Sequence, residues 1–114
     1  MRSLVQLNLK ENERIALQCL KEMLVARFPD AEIIIYGSKA RGDFDEESDI
    51  DVLILLECDV DTKLEKEIIE LVYDIELEHD VVIGLLMESK DFWNSDLANA
   101  MPIHWNIDKE GIVL

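Results

Sequence analysis

Apolar positions recur four apart from Ala16 through Leu20 and Leu24 to Phe28, with Met23 beside them, which is the spacing that lines one face of an α-helix. The stripe predicts a core-facing helix from Asn8 to Phe28, opened by an Asn8/Glu11 capping box and stopped by Pro29. The period then changes. Ala31 to Tyr36 carries three consecutive isoleucines, the mark of a buried strand, and Gly37 breaks it. Asp49 to Leu56 reads as a second strand, alternating at its start and continuously apolar afterwards.

Thr62 to about Glu78 returns to helical spacing through Leu64, Ile68, Leu71, Val72 and Ile75, with Thr62 and Glu65 as its capping box. His79 or Asp80 opens a third apolar run, Val81 to Met87. Ser89 to Ala100 reads as a short helix or turn, and the ending MPIHWNIDKEGIVL as an irregular tail. The order helix, strand, strand, helix, strand predicts an α/β (α+β) fold: a small mixed sheet with helices packed mainly on one face. No repeat, linker or low-complexity stretch interrupts it.

Composition narrows the class. A chain of 114 residues suits one domain, 1–114, with room for a single core. Apolar residues at 49% and charged residues at 32% are globular rather than disordered proportions. Twenty-six acidic against eleven basic residues give a formal charge of -15, a field that repels polyanions and argues against long nucleic acid as a partner. A single nucleotide is not excluded, because a divalent cation on local carboxylates reverses the potential at one spot. Cys19 and Cys58 lack Cys-x-x-Cys spacing, and no signal-like segment follows Met1, so a cytoplasmic setting is expected. Apolar runs such as Val52 to Leu56 fall far short of the roughly 20 residues that span a bilayer as a helix.

The segment YGSKARGDFDEESDIDVLI, Tyr36 to Ile54, is where candidate chemistry concentrates. If Asp49 and Asp51 lie on a strand, their carboxylates share a face about 7 Å apart, with Ile50 opposed. Unpaired, they repel by roughly 2 kcal/mol at an effective dielectric of 20. A divalent cation removes that cost, and oxygen ligation with open positions suits Mg²⁺ arriving with substrate phosphate. Gly37 lets the backbone approach closely, Ser38 and the following N–H groups can bond phosphate oxygens, and Lys39 and Arg41 are the nearby cations. Asp80 is the candidate third carboxylate, if the third strand neighbours the second. Three such groups can hold two Mg²⁺ ions for phosphoryl or nucleotidyl transfer.

Each piece also has an ordinary reading. An isolated Asp-x-Asp is usually part of a solvated loop, and Gly-Ser after a strand is usually a turn. His79 fits a helix end, and His104 with Trp105 fits packing better than catalysis. Other motifs do not fit. The segment lacks the Gly-Lys-Ser/Thr ending of a P-loop and the three-glycine dinucleotide pattern. An EF-hand begun at Asp43 needs Gly and Glu where Ser48 and Ile54 stand.

Taken together, Gly37-Ser38, Ala40-Arg41-Gly42 and Ser48-Asp49-Ile50-Asp51 closely resemble the signature of minimal nucleotidyltransferases of the polymerase-beta-type superfamily. The ending Asn106-Ile107 with Lys109-Glu110-Gly111-Ile112 is similar to the way many such domains finish. The resemblance implies transfer of a nucleoside monophosphate, most often AMP from ATP, to an acceptor hydroxyl with release of pyrophosphate. By position, Asp49 and Asp51 are implied to bind Mg²⁺, Asp80 to complete the metal site or deprotonate the acceptor, and Gly37 and Ser38 to hold the triphosphate. Arg41 is divided between nucleotide contact and an ion pair with the acidic loop.

Family members of this size often pair with a helical HEPN-domain protein, acting as antitoxins that attach AMP to a tyrosine of that partner. Two alternatives stay open: a non-catalytic antitoxin that binds a basic partner by charge, and a small-molecule nucleotidyltransferase of the antibiotic-modifying type. Base preference and oligomeric state are left open as well.

Overall fold

In the computed structural model, which describes residues 9–41 and 49–114, the sheet has four strands in the order β3-β2-β1-β4. These are β1 (Glu32–Tyr36), β2 (Ile50–Leu56), β3 (Ile83–Ser89) and β4 (Ile112–Val113). Among the described residues six helices accompany them: α1 (Glu11–Arg27), α2 (Gly37–Arg41), α3 (Thr62–His79), α4 (Lys90–Trp93), α5 (Asp96–Asn99) and α6 (Pro102–Glu110). Strand β1 runs antiparallel to β2 and β4, whereas β2 and β3 are parallel and joined through α3, because parallel neighbours need a long crossover.

The continuous apolar runs are explained by a sheet covered on both sides. Ile33 and Ile35 of β1 pack with Val52, Ile54 and Leu56 of β2 against Leu17, Leu20 and Leu24 of α1 and Ile68, Val72 and Ile75 of α3. Ile34, Leu53 and Leu55 point the other way, onto Trp93 of α4 and Ile107 of α6. Strand residues alternate faces, so a run without polar interruption is what two buried faces require. Each buried isoleucine contributes about 1.5–3 kcal/mol.

The expected mixed sheet is therefore present, and the long helices α1 and α3 do share one face. The second face is also covered, by the short C-terminal helices. The tail expected to be irregular supplies α6, started by Pro102 at its first turn, and then β4, which pairs Ile112 with Ile35. Helix starts differ in detail. Asn8 lies outside the described residues; α1 begins at Glu11, where the Glu13 carboxylate accepts the Lys10 N–H at 3.0 Å. Helix α3 is capped by Asp61, whose Oδ1 accepts from the Leu64 N–H at 2.8 Å, in place of Thr62 with Glu65. No helix among the described residues is long and apolar enough to cross a membrane.

Candidate active site

Strand β1 ends at Tyr36, and the chain turns at once into α2 through Gly37, whose φ of +77° is open to glycine at little cost. In the antiparallel register Tyr36 faces Asp51, and in the parallel register Asp51 faces Gly84. Asp51 therefore stands between two glycines. A Cβ on Gly84 would lie 2.8 Å from Asp51 Oδ1, and one on Gly37 would collide with Asp51 Oδ2. Both carboxylate oxygens sit in space that exists because neighbouring side chains are missing.

The electrostatics there are strained toward a cation. Partial burial pushes the Asp51 carboxyl above its ordinary value, the charge of Asp49 adds to the rise, Arg41 opposes it, and Glu110 raises it further. The Tyr36 hydroxyl is also raised, by burial and then by Asp51. Asp49 is exposed just before β2. Two carboxylates, one half-buried with clear space around its oxygens, fit a hard divalent cation such as Mg²⁺ that keeps further positions for phosphate and water.

Arg41 and Lys39, which composition could not tell apart, have different surroundings. Arg41 Nη1 donates to both oxygens of Glu110 on α6 at 3.2 Å, and Glu110 Oε1 also accepts the Gly37 N–H at 3.2 Å. The ion pair expected for Arg41 is with the acidic loop, which lies outside the described residues; the partner seen here is Glu110, a residue of α6. Lys39 is fully buried and its Nζ lies 2.9 Å from Glu13 Oε2 of α1. It anchors α2 to α1. Ser38 follows Gly37 in α2 and is half-buried. Gly42 and the acidic residues Asp43, Asp45, Glu46 and Glu47, with Ser48, lie outside the described residues.

Asp80 is placed differently from the sequence expectation. It is the C-cap of α3, in the left-handed conformation with φ 55°, and it is exposed; β3 begins only at Ile83. The helix end is satisfied from outside and from within: Asn12 Nδ2 donates to His79 O and Asp80 O at 3.0 and 3.1 Å, and Asp80 N–H bonds Glu76 O. The strand position beside Asp51 belongs to Gly84 instead. Among the described residues no group of three or more His, Cys, Asp or Glu is close enough to share a metal ion.

Sequence reasoning gave no role at the site to Gly84, Glu110 or Glu13. The first had a signal: a glycine inside the run VVIGLLM marks close approach of another group. Glu110 and Glu13 are among 26 acidic residues, and only the fold brings them to α2. His104 packs as expected: it is buried, its ring stacks on Trp93 at 4.3 Å, and Nε2 lies 3.0 Å from Trp93 O.

The chain is similar to known proteins in sequence and in fold. Two Methanocaldococcus jannaschii proteins, both provisionally named as protein adenylyltransferases, are similar to the chain. One is 40% identical over 83 residues, covering 73% of this chain and 76% of the relative. The other is 41% identical over 58 residues, 51% and 59% respectively. The fold resembles a toxin–antitoxin structure with AMP-PNP, at TM-score 0.57 and 16% identity, covering 91% of this chain and 72% of that one. A provisionally named nucleotidyltransferase from Sulfolobus solfataricus superposes at TM-score 0.52 with 17% identity, covering 93% and 87%. The nucleotidyltransferase domain family matches residues 17–108, a span that contains the Gly37 turn, both aspartates and Gly84, and the chain belongs to that family.

Proposed function

We propose that the protein transfers AMP from ATP to a hydroxyl on a protein acceptor, a tyrosine of a HEPN-type partner, and acts in this way as a cytoplasmic antitoxin. The observation that carries the reading is the Asp51 carboxylate, set between Gly37 and Gly84 with Asp49 charged beside it. The names of the M. jannaschii relatives support protein adenylylation, and the toxin–antitoxin structure of similar fold supports a toxin as the partner.

In this reading Asp49 and Asp51 would hold Mg²⁺, which would polarise the triphosphate when bound. Gly37 and Ser38 present the turn on which the phosphates rest, and Lys39 keeps that turn fixed through Glu13. The acceptor oxygen bonds to the α-phosphorus, the bond from that phosphorus to the bridging oxygen breaks with its electron pair leaving on pyrophosphate, and the hydroxyl proton passes to water. Two carboxylates suit one cation with open positions rather than the pair of ions expected from three, and Asp80 at its helix cap has no part in the scheme.

The test is transfer from α-labelled ATP to a HEPN-type partner with Mg²⁺. Label on a partner tyrosine, absent with Asp51→Asn, is expected. No transfer under conditions where a control adenylyltransferase works would sink the reading. A second reading, neutralisation of a basic partner by contact alone, draws on the charge of -15. It predicts neutralisation without ATP that survives Asp51→Asn.

A further inference from the structure

Glu110 lies at the end of α6, 73 positions from Gly37 in sequence, yet its carboxylate is shared between the Gly37 N–H and the Arg41 guanidinium. A backbone N–H at a positive-φ glycine and a guanidinium are donors suited to anionic oxygens, and a carboxylate and a phosphate compete for them on the same terms. We propose that Glu110 is an internal phosphate surrogate: it holds the Gly37 turn and Arg41 in the nucleotide-free protein, and it must release them for a triphosphate to bind. This rests on the nucleotide-binding reading above and adds a gate to it.

The surroundings allow the side chain to leave while the backbone stays. Helix α6 is pinned by β4, with Ile112 paired to Ile35 and Leu114 N–H donating to Ile33 O at 2.9 Å. At Gly111 a Cβ would stand 2.5 Å from Ile107 O and 2.8 Å from Ile34 Cγ2, so the helix end lies tight on β1. Glu110 itself is 16% exposed along its side chain, and its own torsions suffice to swing the carboxylate toward solvent. The exchange removes a negative charge from the neighbourhood of Asp51 as the phosphates bring theirs.

The experiment is titration of the full chain with Mg·ATP by calorimetry, for the wild type and Glu110→Gln, with thermal melts to confirm folding. The variant keeps the size of the side chain and loses its charge, and it should bind roughly tenfold tighter, the scale of one charge-assisted hydrogen bond. Equal or weaker binding by a folded Glu110→Gln overturns the surrogate and leaves the nucleotide reading standing, since a purely structural strap gives that result. Binding by neither protein overturns both. A second measurement needs no variant: the Gly37 amide, one of four glycine signals, should shift in the NMR spectrum when the wild type is saturated with Mg·ATP. An unmoved Gly37 amide at saturation overturns the exchange.

Discussion

Asp51 on β2 faces Gly84 on β3 across a parallel strand pair, and a Cβ at position 84 would stand 2.8 Å from the Asp51 Oδ1 oxygen. The clash falls on the end of a side chain that can rotate, so Gly84→Ala should displace the carboxylate while leaving the sheet intact. Stability is expected within about 0.5–1 kcal/mol of wild type, the scale of a glycine-to-alanine change in an element interior. Nucleotidyl transfer is expected to fall by on the order of 100-fold, as a misplaced reacting group does. Gly37→Ala differs: it meets the same carboxylate from the other side and also forces a non-glycine residue to φ +77°, adding about 1–2 kcal/mol of backbone cost. Denaturant titrations beside transfer assays separate the two, and a fully active Gly84→Ala would refute the role given to the clearance.

The raised Asp51 carboxyl has a stability consequence. Its folded-state value lies above the ordinary 3.8 of an aspartate, so between those two values the folded protein binds more protons than the unfolded chain, and stability falls as pH rises through that window. Above it the penalty of the ionised group is complete. Asp51→Asn should therefore melt higher than wild type near pH 7, and the gap should close as the pH is lowered toward 3.8. Mg²⁺ should raise the melting temperature of the wild type and not of the variant, since binding to the folded state alone stabilises it. Transfer should fall by about two orders of magnitude or more with the lost charge stabilisation. A variant that melts lower at every pH would mean the carboxylate stabilises the fold.

How much of this was legible in sequence depends on whether the signal was local. The spacing of Leu17, Leu20 and Leu24 and the runs at Ile33–Ile35 and Val52–Leu56 state periodicity and burial directly, so α1, β1 and β2 could be read. The Gly37 turn and the Asp49/Asp51 pair are local for the same reason. Asp80 reads in sequence as opening a strand because its place beside an apolar run says nothing about where the helix before it ends; the carbonyls of His79 and Asp80 at that end are met by Asn12, 67 and 68 positions away. Glu110 and Glu13 have meaning only once α6 and α1 have been folded against α2. The tail lacked a visible period because α6 is short, and β4 has two residues.

Lys39 and Glu13 form an ion pair with the lysine side chain fully buried and the glutamate 7% exposed. Removing one partner strands the other charge, and Lys39→Met or Glu13→Gln should each cost about 3–5 kcal/mol in urea denaturation. The double replacement Lys39→Met with Glu13→Leu should recover most of that loss, because no charge is then left buried. Transfer should be impaired in the single variants, since Lys39 holds α2 and hence the Gly37 turn against α1. If each single change costs less than about 1 kcal/mol, the pair is not anchoring the turn.

His104 is the counter-case, a histidine whose surroundings are those of a packed residue. Its Nε2 is bonded to Trp93 O, its Nδ1 lies 3.0 Å from Asp108 Oδ2, and its ring lies on Trp93. The stacking and the Nε2 contact hold α6 to α4 over the face of the sheet opposite α1 and α3, while the Asp108 contact lies within α6. His104→Phe keeps the ring and its stacking but leaves the buried Trp93 carbonyl without this partner, a loss of about 1–3 kcal/mol. Catalysis by the folded fraction should be unchanged, because the residue lies outside the Asp49/Asp51 site. Melting curves and rates normalised to folded protein test both halves. A rate loss beyond the folded fraction would show that packing on this face of the sheet sets the geometry of α6, and through Glu110 that of the Gly37 turn.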